Sequence, residues 1–324
     1  MKDKPLKYII LGSIAGIAII YLIITLLNQL FERQVISQIK DKGELVVLIR
    51  NAPTIYYEGP QKPKGFEYEL MAAFAEHLGV DLRLKVYAGI GELLAAIENK
   101  EGDLATGAIT RTEEREDTYV FGPDYYTVQQ VAVYRGGMKR PENIEDLANF
   151  EIQIIAESSY DERLRQLKEE YPDLEWETTD ELSTEQLLYQ VWRGELECTI
   201  ADQNIVAINR RYYPGIEVAF PIGEEQSLAW VLNEDLSELG SVLEDWLDDF
   251  DEAGSLARLR DKYYGYVEIY DFVDLREFHK RIRWRLPVYR KWFQEAAEKY
   301  NIPWTLLAAQ AYQESHWNKR AKSP

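Results

Sequence analysis

Apolar and polar positions alternate with two different periods along most of the chain. Residues 44–49 form a short apolar run typical of a buried strand, and residues 82–87 alternate like a second strand. Residues 65–78 carry apolar side chains at three- and four-residue steps, which predicts a helix closed by Gly79. Helical spacing returns over 90–97, and further strand-like and helix-like runs follow at 104–109, 131–134, 144–147, 152–156 and 160–170.

This alternation predicts an α/β fold with mostly parallel sheets covered on both faces. It extends over about 220 residues, more than one compact sheet unit holds, so two lobes are expected. From Val267 onward the strand-like runs vanish and the chain is predicted to be helical. Arginine and tryptophan are mixed in this part, and two interpretations stay open: the solvated face of a connector helix, or a surface for an anionic partner.

The N-terminal part contains a long apolar segment. No charged residue occurs over 8–31, and the nineteen residues 9–27 would span ~28 Å as a helix, close to the ~30 Å hydrocarbon core of a bilayer. Lysines within residues 1–7 favour a cytoplasmic N-terminus, which places the rest of the chain on the outer side. We expect 8–28 to be a membrane anchor or, alternatively, a cleaved signal peptide, followed by a polar stalk over 29–42.

Composition excludes several classes of protein. The 324 residues include 37 Lys and Arg against 56 Asp and Glu, a formal net charge of −19, which argues against a nucleic-acid partner. The single cysteine, Cys198, excludes an intramolecular disulfide and a Cys-based zinc site, and three scattered histidines exclude a His-rich metal centre. No metal and no cofactor is expected.

Five short motifs follow one another between residues 43 and 266. They are Gly65-Phe66-Glu67-Tyr68-Glu69-Leu70; Gly102-Asp103-Leu104 with Thr110-Arg111-Thr112-Glu113-Glu114-Arg115; Phe121-Gly122-Pro123-Asp124-Tyr125-Tyr126; Thr199-Ile200-Ala201-Asp202-Gln203; and Gly254-Ser255-Leu256 with Lys262-Tyr263-Tyr264-Gly265. In this order they resemble the type-2 periplasmic solute-binding proteins of the amino-acid-binding kind, with Gly122 in place of the usual Ser. The resemblance implies a bilobal domain, with lobe 1 at about 43–134 and 228–266 and lobe 2 at about 138–222.

The resemblance also implies a ligand site for an amino acid or a muropeptide. An arginine fork suits the ligand carboxylate and an aspartate on the opposite lobe suits its ammonium group, so that the ligand closes the lobes. By resemblance, Arg115 would bind the carboxylate and Asp202 the ammonium group. The further ligand-binding residues implied are Thr110 and Thr112 beside Arg115, Tyr56 as an aromatic wall, and Ser158 and Ser159 at a helix start where N–H groups meet anions.

Each of these assignments has a structural alternative. Arg115 could form a surface ion pair with a neighbouring glutamate, Glu113, Glu114 or Glu116. Asp202 could cap a helix, and Tyr56 could pack in the core. If Arg115 is an exposed cleft residue, replacing it with Ala should abolish binding and leave the fold intact.

A second motif occupies the end of the sequence. Pro303 suits the first turn of a helix, and one face of that helix would carry Trp304, Leu307, Ala308, Ala311, Tyr312 and Ser315. Glu314 borders this face, where partial desolvation would raise the pKa of its carboxyl group and suit it to act as a general acid. The motif A-x4-E-S-x5-A-x-S-P, matched by Ala309, Glu314, Ser315, Ala321, Ser323 and Pro324, resembles the opening of the Slt-type, goose-lysozyme-like lytic transglycosylase domain.

The two resemblances together indicate the membrane-bound lytic murein transglycosylase F family. They imply that residues 267–324 are a helical connector and the start of an all-α lysozyme-like domain. They also imply that Glu314 cleaves the bond between N-acetylmuramic acid and N-acetylglucosamine in peptidoglycan without water, forming a 1,6-anhydro end and needing no second carboxylate.

The resemblance places the protein on the periplasmic side of the cell envelope, at the inner face of the outer membrane, whereas the sequence alone also allows an inner-membrane anchor. Because the sugar groove would lie beyond Pro324, the 324-residue chain is expected to be catalytically incomplete. The rival hypothesis is an anchored binding or sensor protein without catalysis.

Overall fold

A computed structural model describes residues 20–23, 30–59, 62–265, 278, 280–300 and 302–321. Most of the predicted anchor or signal segment 8–28, the first part of the connector and the last motif residues Ser323 and Pro324 lie outside the described residues. Within the described ranges, no helix combines the length and apolar character needed to cross a membrane.

The bilobal domain alternates strands and helices as the periodicity predicts. Residues 30–42 form helix α1. The elements that follow are β1 (Glu44–Arg50), α2 (Phe66–Leu78), β2 (Asp81–Tyr87), α3 (Ile90–Glu98), β3 (Leu104–Thr106), α4 (Glu113–Glu116), β4 (Val120–Arg135), α5 (Ile144–Leu147), β5 (Gln153–Ile155), α6 (Ser159–Glu170), β6 (Glu177–Thr179), α7 (Thr184–Arg193), β7 (Cys198–Asp202), α8 (Gln203–Asn209), β8 (Ile216–Leu232), α9 (Leu239–Glu252) and α10 (Ser255–Tyr263).

Two long strands, β4 and β8, run through both lobes and join them. They pair antiparallel from Val120 opposite Leu232 to Arg135 opposite Ile216, with several register shifts between. In lobe 1 the sheet order is β2-β1-β3-β8-β4, and in lobe 2 β7 extends the other half of β4. The expectation of mostly parallel sheets is therefore wrong: β1 pairs parallel with β2 and β3, and β5 with β6, whereas β3–β8, β4–β8 and β4–β7 are antiparallel. The strands β4 and β8 cross between the lobes in opposite directions and pair side by side. An alternation of strand-like and helix-like runs in the sequence does not reveal this antiparallel pairing.

Each lobe has its own apolar core. In lobe 1, α2, α9 and α10 cover the sheet around the fully buried Phe66 and Trp230. In lobe 2, two clusters cover the two faces of β7 and β4, one centred on α6 and the other on α7 and α8. Because these cores are separate and only two strands connect them, the lobes can act as two bodies about one hinge.

The first and last sequence motifs of this domain meet at the start of α2. The backbone N–H of Gly65 donates to the Tyr263 hydroxyl over 2.9 Å, and that hydroxyl donates to Glu69 over 2.6 Å. Lys262 forms an ion pair with the same carboxylate. Residues almost two hundred positions apart thus close lobe 1, which explains why both ends of the domain carry a motif.

The C-terminal part is helical over 280–284, Leu286–Tyr300 and Trp304–Ser315, as predicted. Trp317 is buried, and its Nε1 donates to the Ala308 carbonyl over 2.8 Å. Arg281 donates to the Tyr312 hydroxyl and Arg285 to the His316 carbonyl, each over 3.1 Å. These two arginines therefore hold the helices together, a role that neither interpretation of the basic stretch anticipated.

Candidate ligand-binding cleft and catalytic glutamate

The two lobes meet around a small inner cavity. It is lined from lobe 1 by residues at the ends of β1 and β3 and from lobe 2 by the start of α6 and the end of β7. Five of the residues predicted to bind the ligand line it: Thr110, Arg115, Ser158, Ser159 and Asp202. The cavity volume is about 30 Å³, room for one or two water molecules. The lobes are thus in close contact in this structure.

Arg115 is buried rather than exposed, and all three of its guanidinium nitrogens have partners. Its side chain pairs with Glu162 of the opposite lobe, with 2.8 Å between Nε and Oε1. Its terminal nitrogens donate to the carbonyl oxygens of Thr110 (3.3 Å) and Glu157 (3.1 Å). The expectation that Arg115 is an exposed cleft residue is therefore wrong. The alternative, an ion pair with a glutamate among residues 113–116, is also wrong. Removing Arg115 would leave the Glu162 carboxylate buried without its cation, so Arg115→Ala would also destabilise the fold.

Hydroxyl groups complete the contact between the lobes. The Thr112 hydroxyl donates to Oε2 of Glu162 over 2.7 Å and also caps α4. The hydroxyls of Thr110 and Ser159 lie 3.0 Å apart across the cleft, and the Gln130 amide donates to Ser159 over 3.0 Å. Ser158 caps α6 and donates to the Ile155 carbonyl. These side chains bind one another in the closed arrangement.

Asp202 is buried at the end of β7, with 4% of its surface exposed. It stands at the N-cap position of α8, yet its side chain makes no capping hydrogen bond, so the capping alternative does not hold. Burial raises the pKa of its carboxyl group to about 7, while the Tyr160 hydroxyl and the charge of Arg50 oppose that shift. Its Oδ1 atom is buried without a hydrogen-bond partner among the described residues, which is rare for a buried acceptor.

Tyr56 lies away from the cleft. It is buried in a small cluster with Ile49 and Ile55, and its ring meets that of Tyr68 edge-on at 5.8 Å. Its hydroxyl donates to Glu58, which is the main cause that raises its pKa to about 12. Tyr56 lines neither cavity between the lobes, so its assignment as an aromatic wall is corrected to a packing role.

A larger outer cleft adjoins the inner cavity. Its volume is about 420 Å³, within the usual range for small-molecule sites, and both lobes contribute to its walls. Five acidic residues line it: Glu92, Glu157, Asp180, Glu181 and Glu185. Among the described residues in its walls, Arg50 is the only basic one, and Arg50 also lines the inner cavity. Its Nε is buried and has no hydrogen-bond partner in the described part of the chain.

Sequence reasoning missed Arg50, Glu162 and Tyr160. Arg50 had a usable signal, because it ends the apolar strand β1 at the carboxyl edge of parallel strands, where α/β sheets bind ligands. Glu162 had none, since an acid in the first turn of a helix is common and its partner lies 47 residues away. Tyr160 lines the inner cavity from the first turn of α6, and an aromatic residue in a helix gives no signal of this in the sequence.

Glu314 is the last but one residue of the helix Trp304–Ser315 and is exposed. Ala308, on the apolar face, is buried, as the pattern predicts. The expected partial burial of Glu314 is wrong for the described residues: the helix ends one residue later at Ser315, before the left-handed C-cap His316, and the Glu314 side chain is exposed. The Ser315 hydroxyl donates to the Ala311 carbonyl within the helix.

Two protein-family models match this chain, one over the bilobal domain and one over the C-terminal helices. Residues 45–266 match the model for bacterial extracellular solute-binding proteins, family 3, and residues 291–324 match the transglycosylase SLT domain. A membrane-bound lytic murein transglycosylase F from Sodalis glossinidius is 37% identical over 325 residues, covering 100% of this chain and 69% of that protein. The chain belongs to the membrane-bound lytic murein transglycosylase F family.

Further members of the transglycosylase F family match most of this chain. The protein named membrane-bound lytic murein transglycosylase F 1 from Alkalilimnicola ehrlichii is 40% identical over 293 residues, and the family member from Saccharophagus degradans is 40% identical over 290 residues. These matches cover 90% and 89% of this chain but 59% and 58% of the relatives, so the chain spans about three fifths of their length.

Solved structures share the bilobal fold. An ancestral arginine-binding protein bound to arginine superposes with a TM-score of 0.62 at 18% identity, over 68% of this chain and 98% of its own. The GluR0 ligand-binding core from Nostoc punctiforme in complex with L-glutamate superposes with a TM-score of 0.59 at 21% identity, over 68% and 99%. At these identities the likeness establishes the architecture of the lobes and nothing about their ligand.

Proposed function

We propose that this chain carries the ligand-binding domain and the catalytic glutamate of a peptidoglycan lytic transglycosylase. One observation carries the proposal: Glu314 is an exposed residue on a helix inside the region that matches the transglycosylase SLT domain, directly before Ser315. The names of the relatives, all membrane-bound lytic murein transglycosylase F, support the same activity.

In the proposed reaction Glu314 acts twice on the glycan strand. As a general acid it gives its proton to the oxygen that bridges N-acetylmuramic acid and N-acetylglucosamine, and the bond from that oxygen to the muramyl C1 breaks. As a base it then takes the proton of the muramyl 6-hydroxyl, whose oxygen bonds to C1 and closes the 1,6-anhydro ring. The proton count balances without water, and a second carboxylate of the kind that glycoside hydrolases use is not needed.

The test of Glu314 uses a chimera of residues 1–324 with the unmatched remainder of the Alkalilimnicola ehrlichii relative. Glu314→Gln keeps the side-chain shape but removes the proton, so glycan cleavage should fall by ~10²–10⁴-fold. Glu298→Gln, an exposed glutamate on the preceding helix, is the matched control and should keep full activity.

Mass spectrometry of the products tests the mechanism separately. The active chimera should release 1,6-anhydromuramyl ends, which lack one water relative to reducing ends. Reducing muramyl ends would indicate a hydrolase with a second carboxylate and contradict the proposal. The 324-residue chain alone should release neither product, because Glu314 is solvent-exposed in the described part of the chain and cleavage requires a site that excludes water around its carboxyl group.

The bilobal domain is proposed to bind a small ligand that regulates the enzyme, an amino acid or a muropeptide stem. The closed cleft supports a ligand with an ammonium group, because the buried Asp202 Oδ1 has no hydrogen-bond partner in the described part of the chain. Calorimetry of the chain with free amino acids and stem peptides tests this binding. A ligand-binding sensor without catalysis is the second candidate, and an active chimera would exclude it.

The proposed location is the periplasmic side of the cell envelope, in association with a membrane. The word membrane-bound in the names of the relatives supports this location, as does the apolar run over residues 9–27. The proposed partners are peptidoglycan strands, the ligand of the lobes and the membrane. The net charge of −19 supports the proposal that nucleic acid is not a partner.

A further inference from the structure

The inner cavity already contains a carboxylate, supplied by the protein itself. Glu162, on α6 of lobe 2, reaches into lobe 1, where its two oxygens accept hydrogen bonds from the Arg115 Nε and the Thr112 hydroxyl. A free carboxylate ligand would use the same arginine fork and the same threonine. Both Glu162 and Arg115 are more than nine-tenths buried, so the pair is hidden from solvent.

Little space remains for a second carboxylate at Arg115. The other guanidinium nitrogens are taken by backbone carbonyls of Thr110 and Glu157, and the cavity beside them measures about 30 Å³. A free amino acid would have to displace Glu162 and leave its carboxylate without a cation in a buried place, which is costly. Arg115 is therefore neutralised in this arrangement.

Arg50 is the cation that still has hydrogen-bonding capacity in the cleft. It lines both the inner cavity and the outer cleft of about 420 Å³, and its buried Nε is unpartnered within the described residues. The opposite part of the outer cleft carries acidic side chains, Asp180, Glu181 and Glu185 of lobe 2. A ligand with a carboxylate at one end and an amino group several bonds away fits this distribution of charge.

We propose that Glu162 is a specificity-determining residue that occupies the carboxylate site at Arg115, excludes free α-amino acids from it and leaves the outer cleft to a short zwitterionic peptide whose carboxylate binds Arg50. This inference rests on the proposed ligand binding by the lobes and identifies the class of ligand. It is independent of the proposed role of Glu314.

The experiment measures calorimetric binding of four probes: L-alanine, L-glutamate, L-arginine and tri-L-alanine. The wild-type chain should bind the tripeptide and none of the three amino acids. Glu162→Gln keeps the size of the side chain but removes its charge, so Arg115 becomes available to a ligand carboxylate. This variant should bind at least one free amino acid at least tenfold more tightly than the wild type does.

Two further variants make the result specific. Glu169→Gln removes an exposed charge from the same helix and should leave all four affinities unchanged. Arg50→Gln should weaken tripeptide binding by at least tenfold, the expected effect of losing one charged hydrogen bond. Should Glu162→Gln fail to fold, as judged by its thermal unfolding, Glu162→Asp withdraws the carboxylate by one methylene and should show a smaller gain of the same kind.

Four results would overturn the inference. Wild-type binding of a free amino acid that Arg115→Lys abolishes would mean that Glu162 does not block the site. If the folded Glu162 variants show no gain in amino-acid affinity, Glu162 again does not block the site at Arg115. Equal tripeptide affinities of the wild type and Arg50→Gln would mean that Arg50 does not bind the peptide carboxylate. Failure of the wild type and all variants to bind any of the four probes would overturn this inference and the proposed ligand binding together, while the Glu314 experiment would stand unaffected.

Discussion

At the scale of single residues, the cleft contains one satisfied pair of charges and one unsatisfied pair. Arg115 and Glu162 neutralise each other across the lobes at 2.8 Å. Arg50 and Asp202 line the same cavity, and each keeps a buried polar atom without a partner among the described residues. Buried polar atoms without partners are rare because each costs free energy, so Arg50 and Asp202 support the proposed binding of a ligand between the lobes.

Asp202 gives the protein a specific dependence of stability on pH. Burial raises the pKa of its carboxyl group from 3.8 to about 7 in the folded chain. Below the unfolded pKa both states are protonated, and Asp202 contributes its full stability. As the pH rises from about 4 through about 7, the unfolded chain ionises first and this contribution is lost, by up to ~1.4 kcal/mol per pH unit.

Urea unfolding of wild type and Asp202→Asn over this pH range measures the effect. The stability of the wild type relative to the variant should fall as the pH rises, because the asparagine does not titrate. Asp180→Asn, an exposed aspartate of the outer cleft, controls for the loss of one carboxylate. A difference between wild type and Asp202→Asn that stays constant with pH would contradict the assignment.

At the scale of elements, the start of α2 depends on a backbone conformation that only glycine adopts readily. Gly65 has φ 140° and ψ 148°, and a Cβ atom there would lie 2.1 Å from the Ile55 carbonyl oxygen. The same residue donates its N–H to Tyr263 of α10. The glycine therefore allows the chain before α2 to pass close to the segment that precedes it, and it anchors the closing helix.

Gly65→Ala should destabilise the bilobal domain by roughly 3 kcal/mol or more, combining an unfavourable φ with a backbone clash. Gly79→Ala at the other end of α2 is the matched control, since Gly79 also has a positive φ of 74° but no atom within 4 Å of its Cβ position. It should cost about 1–2 kcal/mol. Chemical unfolding measures the loss of stability in each variant. Equal losses in the two variants would contradict a specific role for the close approach between Gly65 and the Ile55 carbonyl.

At the scale of the whole molecule, the contacts between the lobes are made by the protein's own side chains. The buried Arg115–Glu162 pair, the Thr110–Ser159 contact and an exposed pair between Arg165 and Glu114 all cross the cleft. Opening the lobes from this arrangement must break a buried ion pair. Partial loss of such a pair shifts a two-state equilibrium by more than an order of magnitude.

Spin labels on the two lobes test this closed state. Glu92→Cys and Gln186→Cys place labels on opposite walls of the outer cleft, and the native Cys198 is buried and does not compete. The wild type should give one short distance between labels without ligand, and Glu162→Gln should add a longer population. Glu169→Gln should leave the distance unchanged. An unchanged distance in Glu162→Gln would mean that other contacts hold the lobes together.

Several elements and their order could be predicted from the sequence alone. The strand β1, the helices α2 and α3 and the C-terminal helices follow from periods of two and 3.6 residues, which depend only on neighbours along the chain. The short motifs placed Asp202 and Thr110 beside the cleft and Glu314 on its helix, because each motif is local. The solute-binding and transglycosylase parts were recognisable for the same reason.

Tertiary structure alone decided which side chains meet. The partner of Arg115 is Glu162, 47 residues away on the other lobe, and no local pattern distinguishes it from the nearer glutamates. The antiparallel path of β4 and β8, the burial of Asp202, the packing of Tyr56 and the exposure of Glu314 likewise depend on which segments come together in space. Charge pairing and desolvation act through distance in space, and the closed contact between the lobes sets those distances.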